Sequence, residues 1–195
     1  MKSPLTTALL AGMLIAVGAD PVSAAQPVKP TKPATEPVKP AKPAVATSKK
    51  PAMPPAQRLN NARKLYLDYM VGGFKAGWKL TGKQPLSTTQ NAAVRKTCEK
   101  WLNEELIPFL TKNGILEDWV QMQFDPAVLA LNRRSLAVKT SDDISKIAQE
   151  ASALLQERYP DAFAKMSAPE GNKLMMKLQY ALLVAVIDAE PQSKK

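Results

Sequence analysis

The sequence predicts an all-α protein, a compact bundle of about five to seven helices preceded by a disordered Pro/Lys-rich tail. Apolar residues recur at three- and four-residue spacing from Pro55 onward, and no convincing run alternates with period two. Capping residues, prolines and glycines divide that stretch into helix-length pieces. We therefore expect one helical domain over residues 58–190, a length that suits a single core, and a disordered C-terminus at 191–195.

Residues 1–25 have the three parts of a secretory signal peptide. Lys2 supplies a positive charge, Leu5 to Val17 form a short apolar run, and small residues precede a cleavage point after Ala24 or Ala25. The apolar run is shorter than the roughly 20 residues that span a bilayer, which argues against an uncleaved anchor. We expect a periplasmic or secreted product with no transmembrane segment after cleavage.

Residues 26–57 form the predicted disordered linker. The pattern of Pro27–Pro33 returns ten residues later in Pro37–Pro43, and the segment carries six lysines and one glutamate. Frequent prolines remove backbone donors, and large apolar residues are too few for a core. In composition the segment resembles the Pro/Lys linkers of TonB-type periplasmic proteins. We interpret it as an extended spacer, with a dedicated binding arm as the alternative.

The first two helices of the domain are marked by their caps and breakers. Gly72-Gly73 is expected to weaken or end the first helix. Ser87–Gln90 fits a capping box that opens the second helix, and Pro108 should kink that helix or end it early. Asn113-Gly114 should close it. The expected inward stripes are Leu59, Ala62, Tyr66, Tyr69 and Met70 in the first helix, and Val94, Cys98, Trp101, Leu102, Glu105, Leu106, Phe109 and Leu110 in the second, with Glu105 as the one polar member.

The second half of the domain continues with shorter helices. One is expected over residues 115–124, and Asp125-Pro126 should cap and start the next. Thr140 or Ser141 should cap the helix that carries Ile144 to Leu155, and Pro160 should start a short turn of helix. Ser167–Glu170 reads as a second capping box that opens the last helix.

The last helix is apolar on nearly every side from Leu174 to Ile187, apart from Lys177 and Gln179. A helix of this kind belongs in the middle of a bundle, so we expect a central core helix. A dimer or membrane contact is the alternative. We expect no heptad seam for coiled-coil pairing.

Composition excludes most catalytic chemistries. The chain has no histidine and one cysteine, Cys98, which removes the usual neutral-pH base, Cys/His zinc sites and any intrachain disulfide. Cys98 falls on an apolar stripe, where a buried inert thiol is expected. We predict no catalytic residues, no metal site and no cofactor.

Positive charge is concentrated in the first third of the domain. The net charge is +10, and residues 58–100 hold nine Lys or Arg against two acids. Within that stretch, four glycines of residues 72–82 are interleaved with two aromatic residues and several lysines. We predict a ligand site at Lys75, Trp78, Lys79 and Lys83, with a flexible backbone, a stacking ring and cations for anionic oxygens. In the alternative, Phe74 and Trp78 simply pack one helical turn onto the core.

Three functional hypotheses follow. The first is an exported, non-enzymatic binding or adaptor module that docks an envelope protein or an anionic surface with help from its basic tail. The second is a binder of anionic polymer, nucleic acid or acidic polysaccharide, through the basic first third. The third is a cell-wall hydrolase that brings two carboxylates from different helices into one cleft.

Overall fold

Local sequence signals set most of the helix boundaries in the computed structural model, which describes residues 53–189. Seven helices follow one another in that range, with no strand between them, so the predicted all-α class is confirmed. The predicted signal peptide, most of the linker and the C-terminal residues 191–195 lie outside the described residues. The helices are α1 (Pro55–Leu80), α2 (Thr88–Trp101, continued by a π turn at Leu102–Leu106 and by Ile107–Lys112), α3 (Leu116–Met122), α4 (Pro126–Leu136), α5 (Ser141–Arg158), α6 (Pro160–Ser167) and α7 (Pro169–Asp188).

Helix α1 is longer at both ends than the sequence indicated. It begins at Pro55, where proline suits the first helical position, so its first turn takes in residues 55–57 of the predicted linker. It also runs through Gly72 and Gly73 without interruption, and the predicted end at that pair is wrong. Gly73 is buried and the Leu136 side chain of α4 lies over Gly72. Tertiary packing here outweighs the helix penalty of about 1 kcal/mol per glycine.

Helix α2 opens with the predicted capping box and continues past Pro108 because a π turn precedes the proline. The Ser87 hydroxyl accepts from the Gln90 amide, and the Gln90 side chain accepts from the Ser87 amide. Pro108 has no N–H for the ladder, and in the turn before it the amide of Ile107 donates to the carbonyl of Leu102, five residues back. The wider π turn lets the helix continue, so the predicted early end does not occur.

The remaining boundaries include one further correction. Gly114, at φ +72°, follows α2 as expected, and the Asp125 carboxylate accepts from the Ala127 amide at the start of α4. Thr140 caps α5 through the Asp143 amide. At α7, however, the N-cap is Ala168 and not the predicted Ser167, and the alanine side chain makes no cap hydrogen bond.

The helices close into a ring around a shared core. Helix α7 packs against α2, α2 against α1, α1 against α4, and α4, α5 and α6 lead in turn back to α7. Helix α3 fits between α1 and the end of α2, where the Trp119 ring meets the edge of Tyr66 with centroids 5.3 Å apart. The closed arrangement of helices therefore depends on the α2–α7 contact, which joins the first half of the bundle to its last helix.

Two hydrogen bonds set the register of α7 on α2. The Gln90 side chain, besides capping α2, donates to the carbonyl of Val186 near the end of α7 (3.2 Å). The Trp101 indole N–H donates to the carbonyl of Leu174 near its beginning (3.2 Å). Because the start of α2 meets the end of α7, the two helices are antiparallel, and the rotation of α7 about its axis is defined.

Helix α7 does not lie in the middle of the bundle, which corrects the predicted central core helix. Its buried face contains Leu174, Met175, Leu178, Leu182 and Val186. The opposite face is open to solvent, and there Met176, Tyr180 and Ile187 are 67%, 72% and 65% exposed. The bundle thus covers one side of an apolar helix and leaves the other uncovered.

We predict that, because α6 and α7 approach closely, any side chain at Gly171 destabilises the fold. A Cβ at Gly171 would overlap the carbonyl of Met166 and lie 2.8 Å from its Cα, which is backbone that cannot turn away. Gly171→Ala should lower the free energy of unfolding by about 2 kcal/mol in urea titrations followed by circular dichroism. Gly72→Ala is the matched control, because a Cβ there meets only the mobile end of Leu136 and improves helix propensity. Equal stability of the two variants would contradict the close approach.

Three buried ionisable groups predict a loss of stability in alkali. Burial raises the pKa of the Cys98 thiol and of the Tyr69 phenol to about 12, and it raises the pKa of Tyr66 still further. Well below pH 9 these groups are protonated in both states. From about pH 9 towards 12 the unfolded chain releases protons that the folded chain retains. The urea midpoint should fall steadily over that window. An unchanged midpoint at pH 11 would show that these groups are solvated in the fold.

Candidate binding sites

The predicted ligand residues Lys75, Trp78, Lys79 and Lys83 lie at the C-terminal end of α1 and in the loop that follows it. Lys75 and Lys79 are four residues apart on one face of the helix, and both are exposed. Trp78 lies beside them and is half-buried against the core. The predicted flexible backbone is absent, because Gly72, Gly73 and Gly77 are helical. The structure therefore places Lys75, Trp78 and Lys79 on the helix and Lys83 in the loop after Gly82.

The Trp78 ring is already engaged by its neighbours. It stacks on Phe74 with centroids 6.0 Å apart, and its indole N–H donates to the carbonyl of Gln84 (2.9 Å). The Lys83 ammonium lies 4.9 Å from the ring centroid, within the range of a cation–π interaction. These contacts fold the loop after α1 back onto the helix. A ring used in this way supports the local fold, as the packing alternative proposed, and offers little open face to a base or sugar.

The lysines of this end have no acidic partner, whereas three other basic side chains of the first third do. Arg58 pairs with Glu117, Arg95 with Asp68, and Lys100 with Glu104. In the described part of the chain, no ion pair involves Lys75, Lys79 or Lys83. Arg63, Lys64 and Lys96 also lack an ion pair there, so the α1 C-terminus holds three of the six unpaired positive side chains of residues 58–100.

A second surface, which the sequence suggested only through the alternative of a dimer or membrane contact, is the exposed apolar stripe of α7. We define the α7 seam as Met176, Tyr180, Leu183 and Ile187, spaced four, three and four residues apart. Leu183 is half-buried and the other three are largely exposed. This spacing places the four side chains along one side of the helix over about one and a half heptads, and the expectation that no coiled-coil seam exists stays a prediction. The spacing was present in the sequence, but an apolar residue at almost every position of the helix concealed it.

A shallow groove of about 300 Å³ runs between α2 and the start of α7. Two carboxylates from different helices, Glu105 and Glu170, line it, which is the arrangement that the hydrolase hypothesis requires. Glu105 is held by an ion pair with Lys177 at 3.2 Å. The groove is open to solvent.

Neither a metal centre nor a membrane span is present in residues 53–189. No group of three or more Cys, Asp or Glu side chains is arranged there to hold a metal ion. None of the helices in that range has the length and apolar character needed to cross a bilayer. Comparison with known protein families, with curated proteins and with solved structures finds no match, so the functional argument rests on the two surfaces above.

Proposed function

We propose that this chain is an exported, non-enzymatic binding module that docks a protein of the cell envelope through the outer face of α7. The basic tail before the bundle supplies reach and electrostatic attraction. The observation that carries the proposal is the α7 seam itself, a rigid row of large apolar side chains turned to solvent.

The seam supports docking because it stands out from the rest of the described surface. Large exposed apolar side chains elsewhere are single and less exposed, as with Leu65 and Leu136 at 41% each. Scattered apolar residues are ordinary on a soluble protein, whereas a contiguous row marks an interaction site. Tyr and Met are also among the residues enriched at protein interfaces.

The charge distribution supports a role for the tail. Six lysines and one glutamate in residues 26–57 give this segment a positive charge, and its prolines favour an extended chain. A positive chain of this length accelerates encounter with an acidic partner or an anionic surface, while the apolar seam provides the contact that lasts.

We predict that a photo-crosslinking amino acid at Tyr180 captures a protein in the envelope of the host, whereas the same group at Leu65 does not. Position 180 is the most exposed point of the seam, and position 65 is an exposed apolar site on α1. N-terminal sequencing of the same sample checks for removal of residues 1–25. The absence of any protein adduct at position 180 in an exported, folded chain would overturn the docking proposal.

The uncompensated lysines favour a second candidate function, the binding of an anionic polymer. Lys75, Lys79 and Lys83 focus positive charge where the helix carbonyls at the end of α1 already attract cations. The engaged Trp78 ring favours sequence-independent charge contacts over base stacking.

If this second function operates, the Lys75→Ala/Lys79→Ala/Lys83→Ala variant should elute from heparin at lower salt than the parent chain. Each lost phosphate or sulfate contact reduces the dependence of log affinity on log salt. Lys112→Ala/Lys139→Ala/Lys165→Ala is the matched control, with the same charge change at other exposed lysines. Equal elution of the two triple variants would eliminate the α1 end as the binding site.

A further inference from the structure

We infer that the partner of the α7 seam is a second copy of this chain, bound with its α7 antiparallel to the first. This inference rests on the proposed docking function and names its partner. It follows from three properties of the described helix: the spacing of the seam, the placement of the charges beside it, and the area that it exposes.

The spacing favours a helix as the occupant. Positions 176, 180, 183 and 187 follow the alternating four-and-three pattern that lets two helices interlock side by side. The seam is short for an isolated coiled coil, but α7 is already folded by its packing on α2 and α6. Pairing therefore does not have to stabilise the helix itself, which is the usual difficulty for short helices.

The charges beside the seam select the antiparallel orientation. At 100° per residue, Lys173, Lys177 and Asp188 all lie on the same flank of the seam, with the lysines near one end and the aspartate at the other. In an antiparallel pair the same flanks face each other. When the seams are aligned about their centre, Asp188 of each copy lies between the levels of Lys173 and Lys177 of the other, within about 3 Å along the axis of both.

A parallel pair lacks this complementarity, because the charged flank of each helix then faces the other flank of its partner, where Asn172 and Gln179 carry no charge. In the described residues Asp188 and Lys173 have no ion-pair partner within the chain, and Lys177 meets only Glu105. At both ends of an antiparallel pair, Asp188 of one copy thus lies near Lys173 of the other. Each of these two side chains gains an oppositely charged neighbour that it lacks within its own chain. Such pairs contribute little affinity on a surface, but they determine orientation.

The exposed area is sufficient for a weak, specific dimer. Three large side chains about two-thirds exposed present on the order of 350 Å² of surface per chain. Pairing removes roughly twice that area from solvent, and contributions from Leu183, Val184 and the lysine methylenes bring the total near the ~1,000 Å² expected of a small specific interface. We therefore expect a dissociation constant in the micromolar range or weaker.

Sedimentation equilibrium of the purified chain tests the pairing. From low micromolar to near-millimolar concentration, the mass should rise from one chain to two. Tyr180→Asp should raise the dissociation constant at least tenfold, since it places a charge in the seam, and Leu65→Asp is the control that places the same charge on α1. Circular dichroism melts confirm that both variants are folded. A mass of one chain at every concentration, or a dimer that Tyr180→Asp leaves intact, overturns the inference.

Cysteine substitutions at the two ends of the seam test the orientation. Antiparallel pairing places residue 176 of one copy beside residue 187 of the other. A mixture of Met176→Cys and Ile187→Cys chains should therefore form the mixed disulfide on mild oxidation, while each variant alone forms little. Cys98 is fully buried and does not compete. Disulfides formed by Met176→Cys alone would indicate a parallel pair and overturn the orientation.

The photo-crosslinking experiment at Tyr180 separates this inference from the function on which it rests. An adduct of two copies of the chain supports both. An adduct with a different protein, in a chain that sediments as a monomer, upholds docking and overturns self-pairing. No adduct of either kind overturns both.

Discussion

The contact between α2 and α7 is the interaction on which the rest of the molecule depends. Gln90 caps the start of α2 and at the same time holds the carbonyl of Val186, while Trp101 holds the carbonyl of Leu174. These two bonds, twelve residues apart along α7, define both its direction and its rotation. Apolar packing is not directional, whereas these two bonds require a particular carbonyl of α7 to face a particular side chain of α2.

The defined rotation gives the molecule two different surfaces. One is the α7 seam, where apolar side chains that the core does not need remain in solvent. The other is the C-terminal end of α1, where lysines without acidic partners surround a tryptophan that serves the local fold. Apolar contact provides a lasting interface, and focused charge provides attraction over distance. In the proposed docking module, apolar contact through the α7 seam holds the partner, and electrostatic attraction assists the encounter.

The sequence predicted what depends on local chemistry and missed what depends on packing. The caps at Ser87, Asp125 and Thr140 were predictable, since a side chain and an amide a few residues away decide them. The passage of α1 through Gly72 and of α2 past Pro108 was not, because neighbouring helices stabilise α1 and a π turn relieves α2. The seam was predicted only as an alternative, a dimer or membrane contact, for a similar reason: composition shows that α7 is apolar, but only its neighbours determine which side is covered.

Solvent paramagnetic relaxation of the α7 methyl groups, measured by NMR on a dilute sample, tests the central claim most directly. A soluble gadolinium chelate should relax the methyls of Met176 and Ile187 strongly and leave those of Leu178 and Leu182, which are fully buried, nearly unaffected. That pattern is expected if Gln90 and Trp101 hold α7 in the described rotation. Protection of Met176 together with strong relaxation of Leu178 would show that α7 is rotated and that the outward seam does not exist.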